Sequence, residues 1–193
     1  QAERDYQLAS GLSQDVETDD NVFRQTTARL PWLLIGMLGG IGNSMILGNF
    51  DTTFAAHPEM ALYIPLIGGT GGNVGTQSSA LVVQGLANSS LNAENTFKQV
   101  LKESVVALIN ATIISMLVYI YNFIRFGASA TVSYSVSISL FAVVMFASIF
   151  GTLVPMTLEK LKIDPAIATG PFISITNDII GMLMYMGITV LLA

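Results

Sequence analysis

The sequence predicts an all-α membrane protein with five transmembrane helices per chain. Hydrophobic residues make up 52% of the 193 positions and charged residues only 11%, whereas an ordinary soluble domain has about 25% charged residues. Residues 104–124 and 131–158 contain no Asp, Glu, Lys or Arg, and each run exceeds the roughly 18 apolar residues that indicate a membrane-spanning helix. We therefore predict a polytopic protein of the lipid bilayer.

Five apolar segments are the candidate spans, and they alternate with short polar connections. They are residues 30–50, 60–86, 100–124, 131–158 and 165–193. The chain accordingly divides into a five-helix transmembrane domain, residues 30–193, and a cytoplasmic N-terminal segment, residues 1–29. The N-terminal segment has the pattern of a short helix followed by an acidic linker, and a solvated tail is the alternative.

Basic residues predict the orientation of the chain. With five spans, seven of the eight Lys and Arg side chains fall on one side of the membrane, and only Arg125 falls on the other. Because basic residues are enriched in cytoplasmic loops, we predict a plasma-membrane protein with a cytoplasmic N-terminus and an outside C-terminus.

Asp178 is the most unusual residue for a membrane span, since it lies near the middle of the fifth segment. An ionised Asp at that depth costs on the order of 3 kcal/mol, and no Lys or Arg lies at matching depth in another span. Ser174 and Gly170 precede it by four and eight residues and share its helical face. Pro171 leaves the carbonyl of Ile167 without an amide partner. A cation or proton pathway is the favoured interpretation, and a neutral Asp bonded to another helix is the alternative.

The second span contains five glycines within residues 68–75. Each glycine costs a helix about 1 kcal/mol relative to alanine, so we predict that this segment breaks the second helix. Backbone carbonyls and the side chains of Asn73 and Gln77 would then offer oxygen ligands inside the membrane. Close packing of small residues between helices is the alternative. A phosphate-binding loop is disfavoured, because this segment has no preceding strand and no following Gly-Lys-Ser/Thr.

Two further acids flank the spans. Glu103 follows Lys102 at the start of the third span, where it either forms an interfacial ion pair or belongs to an ion pathway. Asp164 precedes Pro165 and is a candidate for capping the fifth helix.

The ligand types favour a hard cation. Oxygen donors without intramembrane His or Cys select Mg²⁺, Ca²⁺ or Mn²⁺, and one Asp per chain predicts that two copies share a hydrated divalent ion on a two-fold axis. A proton- or sodium-coupled divalent cation carrier and a non-transporting membrane interaction protein are the alternatives.

Several other classes are excluded or disfavoured. The chain has no Cys, which excludes thiol nucleophiles and Cys-ligated metals, and its net charge of −5 argues against a nucleic-acid partner. We predict no enzymatic activity, because an intramembrane aspartyl protease would need two facing aspartates, and the other candidate, Asp51, lies at the outer end of the first span.

Five short motifs occur in the order typical of a known family. They are Arg29-Leu30-Pro31-Trp32, the Gly-Thr-Gly-Gly-Asn-x-Gly-x-Gln block at residues 69–77, Lys102-Glu103, Asp164-Pro165-Ala166 and Asn177-Asp178-Ile179-Ile180-Gly181. In these motifs the chain resembles the membrane domain of the MgtE family of magnesium channels. The resemblance extends over residues 28–193, and the block at residues 69–77 is its most specific part.

The resemblance implies a homodimer whose pore is lined by the second and fifth helices, with Asp178 holding hydrated Mg²⁺, the transported ion. Ser174 would contribute its carbonyl, and Gly170 stands where family members can carry Asn. Glu103 corresponds to the family's third-helix Glu, and Asp164 to an acid near a cytoplasmic site for regulatory Mg²⁺. Residues 6–20 resemble the helix and linker that close the cytoplasmic mouth.

Overall fold

The computed structural model describes residues 2–127, 130–168 and 170–192, and all regular structure within these ranges is helical. The all-α prediction is therefore confirmed. The α-helices are α1 (Ala2–Ala9), α2 (Val22–Gly48), α3 (Asp51–Ala56), α4 (Ile64–Ala87), α5 (Thr96–Phe126), α6 (Thr131–Lys160) and α7 (Pro171–Leu192). Short 3₁₀ helices cover Pro58–Tyr63, Ala93–Asn95 and Pro165–Ala168.

Four helices in the described ranges, α2, α5, α6 and α7, are long and apolar enough to cross a membrane. The fifth predicted span corresponds to α4, whose 24 residues extend about 36 Å at 1.5 Å per residue. Helix α4 is not one of the four apolar helices, because its sequence contains many glycines and polar side chains. The structure thus supports the membrane prediction for four of the five segments.

Helix α6 lies at the centre of the bundle and packs against α4, α5 and α7. Its buried face alternates between aliphatic residues, such as Val136 and Leu140, and small residues, such as Ser135 and Ser139. Helix α2 packs mainly on α7, so most of its surface is left exposed.

The predicted break in the second helix is wrong, because α4 is continuous from Ile64 to Ala87. Its glycines are contact points for neighbouring helices. A Cβ placed on Gly71 would lie 2.9 Å from Cγ1 of Val143 in α6, and a Cβ on Gly151 in α6 would collide with the backbone oxygen of Gly75. Close packing between helices at small residues is the alternative interpretation of this segment. Such packing outweighs the low helix propensity of its glycines.

The fifth predicted span begins later than expected. Residues Pro165–Ala168 form a 3₁₀ helix, Gly170 adopts φ +52°, and α7 starts at Pro171. Pro171 therefore occupies a helix start, where no amide donor is needed, and the predicted release of the Ile167 carbonyl within a longer helix is wrong. Asp178 lies about two turns after the start of α7.

Candidate ion site

A cavity of about 330 Å³ lies between α2, α4 and α7. Helix α7 contributes Asp178 and Ser174, α4 contributes Asn73, and α2 contributes Asn43. Gly68, Gly69 and Gly72 of α4 also line it. Of the residues singled out in the sequence, the structure thus brings together Asp178, Ser174 and Asn73 in this cavity, and it adds Asn43.

Glycines of α4 make room for the Asp178 carboxylate. A Cβ on Gly68 would lie 3.4 Å from Asp178 Oδ1, and a Cβ on Gly72 would lie 3.6 Å from the same atom and 3.2 Å from Ser174 Oγ. Side chains at these two positions would press against the acid and the serine. The half-buried carboxylate has no hydrogen bond or ion pair with any part of the chain that the structure describes, so both its oxygens are available to a ligand.

Ser174 sits one turn before Asp178 on the same face of α7, as the spacing predicts. Its backbone amide donates to the carbonyl of Gly170 at 3.0 Å, which ties the first turn of α7 to the residue before it. Thr176, two residues before Asp178, donates its hydroxyl to the Phe172 carbonyl at 2.8 Å.

Asn177, the neighbour of Asp178, faces α4 instead of the cavity. Its side chain is 1% exposed and packs where Gly71 and Gly75 leave space. Neither amide atom of Asn177 has a hydrogen-bond partner within residues 2–127, 130–168 and 170–192. The side chain therefore contributes to the contact between α4 and α7.

Gly170 does not line the Asp178 cavity. It precedes α7 in a left-handed conformation, and a Cβ there would collide with the carbonyl oxygen of Ala9 at the end of α1. Just after α1, Gly11 packs against Pro171 and Trp32, with the Cβ position of Gly11 lying 2.7 Å from Pro171 Cγ and 3.8 Å from Trp32 Cβ. The N-terminal segment thus packs on the start of α7 at Gly170.

Glu103 lies in a different cavity, between α4, α5 and α6. It is buried, and its Oε1 accepts hydrogen bonds from Ser78 Oγ at 2.6 Å and from Ser148 Oγ. The two serine oxygens are 3.0 Å apart. One carboxylate oxygen therefore joins α4, α5 and α6, and the predicted ion pair with Lys102 is not found among the described side chains.

The Glu103 cavity has a volume of about 490 Å³ and also contains Gln77, Gln99, Lys102 and Asn110. Gln77, expected beside Asn73 as an oxygen ligand, therefore projects into this second cavity. Helix α4 separates the two cavities, since Gly68, Gly72 and Asn73 line one and Gln77 and Ser78 line the other.

Asp164 is exposed and lies apart from both cavities. Its Oδ1 accepts a hydrogen bond from the Ala166 amide at 2.9 Å, so it caps the 3₁₀ helix Pro165–Ala168. Glu159 and Lys162 line the same depression of about 520 Å³. The capping interpretation holds for this 3₁₀ helix, not for α7.

Asn43 is the site residue that the sequence analysis did not identify. Its Oδ1 is buried and has no hydrogen-bond partner in the described part of the chain. The available signal was an amide side chain inside an otherwise apolar span, although sequence alone could not tell which helix it would face.

The fold and the cavity define a multi-pass membrane protein with an unpaired carboxylate in an open cavity between three of its helices. Residues 64–188 match the sequence model of the MgtE family, described as a divalent cation transporter. The chain belongs to this family.

Three curated relatives carry the description "Magnesium transporter MgtE". The chain is 32% identical to the protein of Bacillus subtilis (strain 168) over 188 residues, 97% of this chain. It is 33% identical to that of Thermus thermophilus over 165 residues, 86% of the chain, and 28% identical to that of Enterococcus faecalis over 188 residues, 97% of the chain. The matches cover 42%, 36% and 41% of these relatives, so the chain spans less than half of their length.

Replacing Gly170 should displace the N-terminal segment. In Gly170→Asn the side chain meets the Ala9 carbonyl, and overpacking of this kind costs about 1–3 kcal/mol. Trp32, the single tryptophan of the chain, reports the change because Gly11 packs beside it. We expect red-shifted tryptophan emission and stronger acrylamide quenching.

Gly40→Ala in α2 is the matched control, since a Cβ at Gly40 meets nothing within 4 Å, and its emission should equal that of the unmodified protein. Unchanged emission in Gly170→Asn would contradict the dependence of this packing on Gly170.

Replacing Glu103 should loosen the bundle. Glu103→Leu removes the acceptor shared by Ser78 and Ser148, and the loss of buried hydrogen bonds of this kind costs about 1–3 kcal/mol. We expect a lower Tm in detergent than for Glu103→Gln, which keeps an acceptor oxygen. In a double-mutant cycle, Ser148→Ala should cost less in the Glu103→Leu background than in the unmodified chain. Additive effects would show that the two residues are not coupled.

Proposed function

We propose that this chain forms a magnesium channel or transporter in which hydrated Mg²⁺ passes through a dimeric pore lined by α4 and α7. Asp178 is the ion-binding acid, and Ser174 and Asn73 complete its oxygen surroundings. The observation that carries the proposal is the unpaired Asp178 carboxylate in a cavity between α2, α4 and α7. The family of the chain and the description of its relatives as magnesium transporters support the choice of ion.

The size of the cavity suits an ion that keeps its water. At about 30 Å³ per water molecule, a volume of about 330 Å³ accommodates about ten waters, more than the six ligands of octahedral Mg²⁺. Mg²⁺ loses water reluctantly and is commonly bound through one or two carboxylates. A hydrated ion therefore needs only the few oxygen atoms that α4 and α7 supply.

Charge balance supports two copies per pore. Each chain contributes one carboxylate to its cavity, and the described residues contain no group of three His, Asp, Glu or Cys side chains that could hold a metal ion. Two Asp178 carboxylates across a two-fold axis, the commonest symmetry of oligomers, match the charge of a divalent cation. An inside-negative potential of 100 mV favours the entry of such an ion by roughly 4.6 kcal/mol of free energy. Inward flux therefore needs no coupled energy source.

The proposed topology has five spans, with the N-terminus in the cytoplasm and the C-terminus outside. Helix α4 is the remaining span, since its length exceeds the roughly 30 Å of the hydrocarbon core. Residues 1–29 then lie at the cytoplasmic ends of α2 and α7, where the packing of Gly11 on Pro171 and Trp32 supports a role in covering the pore mouth. Asp164 stays a proposed cytoplasmic ligand of regulatory Mg²⁺.

Gly170 and Glu103 take other roles in this proposal. Gly170 offers only its carbonyl, which already accepts the Ser174 amide, and we propose that it serves the packing of α1. Glu103 is separated from Asp178 by α4, and we propose that it holds α4, α5 and α6 together. No enzymatic step is part of the proposed function.

The variant Asp178→Asn tests the ion-binding acid, because it is nearly isosteric and removes the charge. Hydrogen bonds to a charged group contribute about 1.5–3 kcal/mol, so Mg²⁺ uptake into proteoliposomes should fall roughly 10- to 100-fold at subsaturating Mg²⁺. Glu94→Gln, which removes an exposed acid in the short 3₁₀ helix before α5, is the control and should keep full uptake.

Unchanged uptake in Asp178→Asn would exclude the proposed role of the acid. If flux of the unmodified protein stops when an opposing pH or Na⁺ gradient is removed, the coupled carrier is the better description. If no flux is measured under any gradient, the non-transporting membrane protein is favoured.

Cysteine cross-linking tests the two-fold pore, and the chain has no Cys of its own. Gly69 lines the Asp178 cavity, and a Cβ there meets nothing within 4 Å, so Gly69→Cys should form covalent dimers with a short bis-maleimide. Leu117→Cys on the exposed face of α5 is the control and should stay monomeric. Dimers through Leu117→Cys but not through Gly69→Cys would place the two-fold axis elsewhere.

A further inference from the structure

Asn43 of α2 is a polar side chain that the proposed pore helices do not include. Its side chain lines the cavity that contains Asp178, while its Oδ1 is turned away from the cavity, buried and without a donor in the described part of the chain. A buried carbonyl oxygen without a donor is costly. The terminal torsion of Asn is broad and roughly two-fold, so a turn of the amide about it brings Oδ1 to the cavity, where a ligand's water can donate to it.

The packing of α2 on α7 places Asn43 at the level of Asp178. Trp32, ten residues into α2, and Pro171, the first residue of α7, both contact Gly11. Further along both helices, Gly36 and Gly39 meet Ile175. The two helices therefore run in parallel. One turn beyond these contacts, α2 reaches Asn43 and α7 reaches Asp178.

Gly39 brings the two helices together immediately before this point. A Cβ on Gly39 would lie 2.5 Å from Ile175 Cγ2, so a larger residue would push α2 away from α7. The close approach at Gly39 therefore sets how far Asn43 reaches into the cavity.

We propose that Asn43 is a specificity-determining residue, whose amide turns so that its Oδ1 accepts a hydrogen bond from a water molecule of a hydrated divalent cation held at Asp178. The inference rests on the proposed function and adds a third helix, α2, to the ion site. A water bound to a divalent cation is polarised and donates a strong hydrogen bond. An ion that keeps its water shell, as Mg²⁺ does, gains this bond, whereas Ca²⁺ exchanges its waters for protein oxygens more readily.

Three variants of the full chain test the role of this oxygen. Asn43→Leu has similar size and no acceptor, Asn43→Asp keeps an acceptor oxygen, and Ser44→Ala is the control on the neighbouring exposed position. Mg²⁺ affinity is measured by calorimetry in detergent, and the preference for Mg²⁺ over Ca²⁺ by competition during uptake into liposomes.

We expect Asn43→Leu to weaken Mg²⁺ binding about 3- to 10-fold, the range for the loss of one hydrogen bond, and to reduce the preference for Mg²⁺ over Ca²⁺. Asn43→Asp should bind Mg²⁺ at least as tightly as the unmodified chain, and Ser44→Ala should be unchanged. The Tm of Asn43→Leu in the absence of divalent ions should not fall, because the oxygen has no protein partner to lose. If Asn43→Leu does not fold, Asn43→Ala carries the same expectations.

The outcomes separate this inference from the function on which it rests. If Asp178→Asn abolishes Mg²⁺ binding while Asn43→Leu keeps both affinity and ion preference, the role of Asn43 is refuted and the Asp178 site stands. If Asp178→Asn also binds Mg²⁺ normally, the proposed function fails. A lower Tm of Asn43→Leu with unchanged ion preference would identify a purely structural asparagine.

Discussion

The close approach of α6 and α7 to α4 is the contact on which the rest of the bundle depends. It is possible because α4 carries glycine where these helices cross it. At Gly71 a side chain would press on Val143, and at Gly75 it would collide with the amide of Asn177. Between apolar helices in lipid there is little hydrophobic driving force, so association depends on van der Waals contact at small residues. The same property of α4 leaves room for the Asp178 carboxylate at Gly68 and Gly72.

The two faces of α4 contact two carboxylates whose hydrogen bonding differs. Toward α7 and α2, the helix lines a cavity whose carboxylate has no partner within the described residues. Toward α5 and α6, its Ser78 hydroxyl donates to a carboxylate, Glu103, that also accepts from Ser148. Satisfied polar groups rigidify a buried site, whereas an unpaired one is costly unless a ligand completes it. One acid therefore accepts hydrogen bonds that join three helices, and the other has no partner among the described residues.

Much of the fold could be predicted from the sequence because membrane spans depend on composition over long windows. The uncharged runs at residues 104–124 and 131–158 correspond to parts of α5 and α6. Asp178 and Ser174 share a cavity because the four-residue period of a helix is a local property. Asn73 lies with them because the block at residues 69–77 packs on α7.

Other features depend on contacts that a single sequence does not reveal. The glycines of α4 lower its helix propensity, but contacts with α6 and α7 outweigh that local cost, so the predicted break does not occur. The eight-residue spacing places Gly170 on the face of Asp178 only if the helix extends from residue 165. Helix α7 begins at Pro171, so Gly170 lies outside it. Asn43 was missed because its position beside Asp178 depends on the register between α2 and α7.

The continuity of α4 limits how the width of the Asp178 cavity can change. A broken helix could rotate one half while the other stayed fixed, but an unbroken 24-residue helix moves as one body. Any displacement that widens the space at Gly68 and Gly72 must also shift Ser78 against Glu103 on the opposite face. The width of the Asp178 cavity and the integrity of the Glu103 contact are therefore mechanically linked through one continuous helix.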